Sequence, residues 1–230
     1  MSLLIDVILS PQGAEYRAIR RALNQINSYQ FKILPIPMGV NSLTDYLQGK
    51  RIEEICQTNQ PKVLIMGLCG SLSPQYDIGN AVIYQDCIYL TPEKQISSTD
   101  TYLTNYIYQK LSQKVSLVTG LTSDRLIFSI AEKWQLGQLT KASVIDMEGF
   151  AALEILQQQG IAVAMLRVVS DNSRHDIPDL NQAIATDGRL QPLPAAFAMV
   201  KQPIAAARLI KGALQGLTAL QQITMELFRE

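Results

Sequence analysis

An acidic pair, Asp146 and Glu148, lies within VIDMEGFAALEIL, the stretch from Val144 to Leu156 with the clearest capacity for chemistry. A short β-branched run leads into Asp146-Met147-Glu148-Gly149, and an apolar stretch follows in which Phe150, Leu153, Ile155 and Leu156 can share one helical face. The pair therefore falls where a strand ends and a helix begins, the edge at which open α/β sheets bind ligands. A carboxylate there can bond substrate hydroxyls, and a helix N-terminus tolerates its charge. Either acid could instead serve only as a helix cap. Two more strand ends carry comparable groups. Glu15 follows the run LLIDVIL and the turn Ser10-Pro11-Gln12-Gly13; its alternative role is a solvated, dipole-favoured helix residue. The apolar strand Ile161 to Val169 is interrupted only by Arg167 and ends in Ser170-Asp171-Asn172. A buried arginine requires acidic partners, and Asp171 and Glu148 are the nearest by topology. Three strand ends thus deliver Glu15, Glu148 and Arg167 with Asp171 to one edge.

The elements that must position these groups read as follows. After the first strand a helix is expected from Ala14 to Asn24, then a strand from Phe31 to Pro37 and a helix from Ser42 to Gln57. KVLIMGLCGSL after Pro61 is a buried-strand pattern running into a glycine-bearing turn, where Gly67 and Gly70 permit close approach of a ligand or tight packing. That turn is neither GxGxxG nor a P-loop, since no GK[ST] follows. AVIYQDCIYL is a strand, Thr101 to Leu111 a helix, Val115 to Thr119 a strand, Gly120 to Arg125 a loop, and Phe128 to Leu139 helix and turn. His175 belongs to a surface loop. From Ile204 to Phe228, Leu209, Ile210, Ala213, Leu217, Leu220 and Met225 are spaced for one helix face, which packs on the sheet or, alternatively, touches a membrane surface.

Composition bounds the function. The 230 residues suffice for one large α/β domain, read as 1–230 without a linker or repeat. Twenty basic residues balance twenty acidic ones with no basic cluster, which argues against nucleic-acid binding. Cys56, Cys69 and Cys87 form no close pair, which fits a reduced cytoplasmic compartment; with a single histidine, no zinc site is expected. Neither a signal peptide nor a membrane span is expected. With 47% hydrophobic and 17% charged residues, the apolar surface points to an oligomer or an apolar ligand.

Four features in order resemble the nucleoside phosphorylase/nucleosidase superfamily, whose members cleave N-glycosidic bonds of nucleosides: Glu15, GLCGSLSPQYDIGN from Gly67 to Asn80, VIDMEG, and LRVVSDN from Leu166 to Asn172. The resemblance spans nearly the whole chain. It is strongest to methylthioadenosine/S-adenosylhomocysteine nucleosidases and to hopanoid-associated phosphorylases, which remove adenine from adenosylhopane. The C-terminal third favours the second group, through the IPDL loop, Asp187-Gly188-Arg189 with Pro192, and KQPIAAARLIKGALQGL; the region around Glu132 and Lys133 adds to it.

The resemblance implies a three-layer α/β/α sandwich with a mixed, twisted central sheet, a small-molecule nucleoside substrate, no cofactor or metal, and a homo-oligomer, a dimer. It makes Asp171 the acid that protonates purine N7, with Ser170 beside it. Glu148 binds the ribose hydroxyls and Met147 packs on the sugar. Glu15, Glu148 and Arg167 hold a water in hydrolytic members. Cys69, Gly70, Leu126 and Ile127 complete the substrate site. Asp171 should then have a raised pKa, whereas Glu15 should stay ionised as the base. Phosphorolytic relatives place an arginine and a serine or threonine where Ile65 and Leu68 stand, and another arginine in the first loop. Without those ligands, water is the expected nucleophile. Leu126 stands near the position of an adenine-stacking ring in the methylthioadenosine group, and Asn80 replaces a common aspartate.

Overall fold

The computed structural model describes residues 5–26, 32–48, 51–55, 60–90, 94–185 and 187–229. Phe31, Cys56 and the stretches 49–50 and 56–57 of the expected second helix lie outside them. Eight strands among the described residues form one mixed sheet. β1 (Val7–Pro11) lies parallel between β2 (Lys32–Ile36) and β3 (Lys62–Ser71). Along β3, Val63 and Ile65 face one core cluster while Leu64 and Met66 face another, the two-residue alternation of a strand buried on both sides. Helices α2 (Val40–Gln48), α3 (Arg51–Ile55) and α6 (Gly149–Gln158) cover the first side. The second is covered by α1 (Ala14–Asn24), α4 (Thr101–Lys110) and α8 (Pro203–Phe228). This is the expected three-layer arrangement.

The pairing goes further than a flat layer. β3 pairs along most of its length with parallel β8 (Ala162–Asp171), but its last two residues pair with antiparallel β7 (Val144–Asp146). β8 also pairs with antiparallel β4 (Ala81–Leu90), β4 with β6 (Val115–Thr122), and β6 with β7. Strands β3, β8, β4, β6 and β7 therefore close into a ring, with the end of β3 between β8 on one edge and β7 on the other, the edge that β1 leaves after Ile65. Ring closure leaves fewer free edges to protect.

Several expected boundaries move. The GLCGSL segment is strand up to Ser71 and not yet a turn; β6 continues to Thr122 through the expected loop; Ser170 and Asp171 belong to β8. The short edge strand β5 (Lys94–Ser98), paired with β4, had no signal in its polar sequence. α5 (Ile130–Thr140) ends on Lys141 in the left-handed region. α8 buries a different face from the one its apolar residues suggest: Ala206, Gly212, Gly216, Leu220, Ile223 and Leu227 face inward, while Ile210 is half exposed. Glycines let the helix backbone lie directly against β8, so the packing seam is made of what the side chains lack.

At Gly212 that contact is tight, because an added Cβ would lie 2.3 Å from the Ser170 carbonyl oxygen. Gly→Ala inside a helix normally stabilises by roughly 1 kcal/mol. Here the backbone overlap reverses the sign: Gly212→Ala should destabilise by about 1–3 kcal/mol, read as a lowered urea midpoint.

Candidate active site

The ends of β1, β3, β7 and β8 surround a cavity of about 220 Å³. Nine of the ten expected site residues line it: Glu15, Cys69, Gly70, Leu126, Ile127, Met147, Glu148, Ser170 and Asp171. The tenth, Arg167, is fully buried and reaches the cavity through the acids it contacts.

Arg167 shares the side of β8 occupied by Val163 and Met165, a core-facing position. Its Nη2 lies 3.1 Å from Asp146 Oδ2 and 3.6 Å from Glu148 Oε2. Asp171 is not its partner; the missing one is Asp146. Burial alone would lower the guanidinium pKa, but these two carboxylates outweigh it and hold the pKa above its ordinary value. Asp146 is fixed in turn: its Oδ1 accepts the Thr122 hydroxyl at 2.7 Å and the Gly149 amide at 3.0 Å. Asp146 thus supports the start of α6 and neutralises Arg167 together. Glu148 makes no cap bond and turns one oxygen to the Gly39 amide at 3.1 Å.

Glu15 is not a solvated helix-start residue. The Leu68 amide donates to its Oε1 at 2.5 Å, and Gly67 keeps the space between strands open. A Cβ at Gly67 would sit 2.5 Å from Arg167 Nη1 and 2.9 Å from Glu15 Oε1. Burial, only partly offset by the Leu68 bond, pushes the Glu15 pKa up to about 7; burial does the same to Glu148, with Arg167 opposing. The expectation of a permanently ionised Glu15 is thereby corrected, since near neutral pH it exchanges its proton. The Cys69 thiol is pushed well up by burial, which makes it a poor nucleophile.

Asp171 lines the same cavity. Val169 pairs with Cys69 and Asp171 with Gly70, so Ser170 is an extra, bulged residue in β8. A bulge re-aims the side chain that follows it. Asp171 swings over Gly70, where a Cβ would meet its Oδ1 at 3.0 Å. Lys133, fully buried on α5, donates to Asp171 Oδ1 and reaches the Asn172 carbonyl at 3.2 Å. The Ser170 hydroxyl lies 3.4 Å from the other oxygen, Oδ2.

Residues 51–187, more than half of the chain, match the sequence profile of the Phosphorylase superfamily. The chain belongs to the phosphorylase superfamily. No curated protein matches it in sequence. Among solved structures it is similar to futalosine hydrolase of Helicobacter pylori, at 16% identity and TM-score 0.68 over 97% of each chain. Another is a mutant of Helicobacter pylori MTAN holding 5′-methylthioadenosine in its active site (17%, TM-score 0.64, 96% of this chain and 98% of that one). A third is a putative 5′-methylthioadenosine/S-adenosylhomocysteine nucleosidase from Francisella philomiragia (15%, TM-score 0.68, 98% of each). At these identities the likeness is one of fold.

Within this superfamily member, sequence reasoning missed the role of Asp146, the Gly39 amide, Met38 and Arg125 in the cavity wall, and the direct contact between Lys133 and Asp171. Asp146 had a signal as half of the acidic pair, and Lys133 had one only through the resemblance of the region around Glu132 and Lys133.

Two outcomes follow from the electrostatics. Removing the buried cation in Lys133→Met leaves Asp171 without its partner and should cost about 3–5 kcal/mol, much of it recovered in the double variant with Asp171→Asn, as measured by denaturation at neutral pH. Glu15 binds its proton more tightly folded than unfolded between about pH 4.5 and about 7, so its contribution to stability falls as pH rises through that window. Glu15→Gln should flatten the stability–pH curve there by up to about 1.4 kcal/mol per pH unit, with Glu148 supplying the slope that remains.

Proposed function

We propose that the chain is a nucleosidase that hydrolyses the N-glycosidic bond of an adenine nucleoside carrying a 5′ substituent. The observation that carries this reading is that one cavity is lined both by Asp171, paired with Lys133, and by Glu15 and Glu148, beside Arg167. Breaking a C1′–N9 bond builds positive charge on the sugar and negative charge on the base. Asp171, protonated from solvent once the substrate is bound, gives that proton to N7 as adenine leaves, and the Lys133 ammonium at Oδ1 and the Ser170 hydroxyl near Oδ2 hold the carboxylate that results. Glu148 binds the sugar hydroxyls and stabilises the cationic ring. Glu15, with a pKa of about 7, takes a proton from the attacking water while the oxygen bonds to C1′. General bases work best with pKa values near the working pH, and the arrangement parallels an inverting glycosidase with a nitrogen leaving group.

Charge favours water over phosphate. Glu15, Asp146, Glu148 and Asp171 line the cavity, and each nearby cation already has a carboxylate partner: Arg167 with Asp146 and Glu148, Lys133 with Asp171, Arg125 with Glu132. Ile65 is buried in the core and the Leu68 side chain is hydrocarbon packed against the α8 side of the sheet, so neither side chain can hold an anion.

The C-terminal resemblance points to adenosylhopane as substrate and to a place in hopanoid biosynthesis in the cytoplasm. A second reading, a methylthioadenosine/S-adenosylhomocysteine nucleosidase, is favoured by the groove beyond Met147. That groove shares Met38, Arg125 and Met147 with the cavity and is lined by Asn41, Ser42, Asp124 and Asn181, which suit a hydrogen-bonding 5′ substituent.

Adenine release should be independent of phosphate and yield the free sugar; a ribose-1-phosphate product would make the protein a phosphorylase. Assaying adenosylhopane, methylthioadenosine and S-adenosylhomocysteine in parallel separates the substrate readings. Asp171→Asn should slow release by about 10²–10⁴-fold while ligand-induced stabilisation persists. Turnover equal to that of the native chain would remove Asp171 from the chemistry, and stabilisation without turnover in the native chain would mark a silent binding protein.

A further inference from the structure

Helix α7 (Pro192–Lys201) and the first half of α8 carry a feature that folding does not use. Leu193, Phe197 and Val200 are spaced i, i+4, i+7, so they form one stripe, and each is 64–85% exposed. Ile204 and Leu214 extend the apolar surface onto α8 at 70% and 61% exposure. Only Ala195 of α7 is fully buried. The helix thus leaves three of its large apolar side chains on the outside, the reverse of an ordinary surface helix.

The charges on this segment are one-sided. From Leu190 to Met225 there is no aspartate or glutamate, whereas Lys201, Arg208 and Lys211 are all present and exposed, in a chain whose charges otherwise balance. The Lys201 ammonium sits 4.3 Å from the centre of the Phe197 ring, so cation and apolar anchor are adjacent. We infer that the α7–α8 face docks on an anionic lipid bilayer, with the stripe entering the acyl boundary and the three cations meeting headgroups. This combination of apolar stripe and basic flank is what an interfacial helix requires. A second copy fits less well. A two-fold interface sets the same patch against itself, which would oppose three cations to three cations with no acid to answer them.

The surface is also joined to the cavity. Leu126, in the cavity wall, packs against the cluster of Leu180, Ala183 and Ala195, and so do Met199 of α7 and Leu209 of α8. Docking would hold that wall at the bilayer surface. The inference stands on the surface alone and does not depend on the chemistry proposed for the cavity.

The test is sedimentation of the intact chain with vesicles of phosphatidylcholine alone and of phosphatidylcholine mixed with phosphatidylglycerol. Binding to the mixed vesicles, weakened by salt and by lack of the anionic lipid, is expected. The double variant Phe197→Ser/Val200→Ser should bind about tenfold or more weakly with an unchanged melting temperature, since both side chains are exposed. Lys201→Gln/Arg208→Gln/Lys211→Gln should abolish the preference for anionic lipid. Absence of vesicle binding by the native chain would overturn the inference. So would binding that both variants retain, or a stable dimer without vesicle affinity that Phe197→Ser converts to monomer, which would assign the face to a second copy.

Discussion

A fully buried arginine on a core-facing strand position is the constraint around which the site is arranged. Arg167 cannot be charged there without counter-charge, and burial opposes charging it. An ion pair of this kind adds little net stability compared with packed hydrocarbon of the same size, whereas removing one partner is expensive, about 3–5 kcal/mol. Its partners are therefore held in place by other bonds. Thr122 and Gly149 hold Asp146; Gly39 holds Glu148; the Phe150 amide donates to the Thr122 hydroxyl at 2.8 Å. Gly67 leaves the guanidinium the room it occupies. Hydrocarbon would hold β8 as well; what the arginine adds is a fixed positive charge beside three acids.

That charge divides the cavity. Near Arg167, burial drives Glu15 and Glu148 toward a pKa of about 7. Asp171 has a separate cation, Lys133, brought by a helix on another part of the chain. Two carboxylate groups with different counter-ions thus line one cavity, and a bond cleavage that develops opposite charges on its two fragments calls for groups with separate tasks.

Much of this was legible in sequence. α1 falls on the residues its pattern assigned, and β3, β4 and β8 announce themselves as apolar runs. Arg167 in such a run required acids, and Glu148 was among them. The choice of Asp171 over Asp146 failed because proximity along β8 says nothing about the bulge at Ser170, which turns Asp171 toward α5. The seam of α8 was misread because hydropathy gives weight to Ile210 and Leu217 and none to Gly212, although only glycine permits the backbone contact with Ser170. β5 is too short and polar to alternate visibly. Ring closure of the sheet depends on register between distant strands, which local pattern does not encode.

The two sides of the cavity differ in how firmly they are held. Gly70 and Asp171 belong to ladder-bonded strands, and Glu15 and Glu148 stand at the starts of α1 and α6, which pack on the two large core clusters. Leu126 belongs to a satellite cluster with only three fully buried members, Leu180, Ala183 and Ala195, set among loop, 3₁₀ turn and α7. Local opening is easiest where buried apolar contacts are few. The side of the cavity that carries the acids is therefore the more firmly held. The Leu126 wall is the part that can shift without disturbing the acids, so substrate size can be adjusted there while the charge arrangement around Arg167 stays intact.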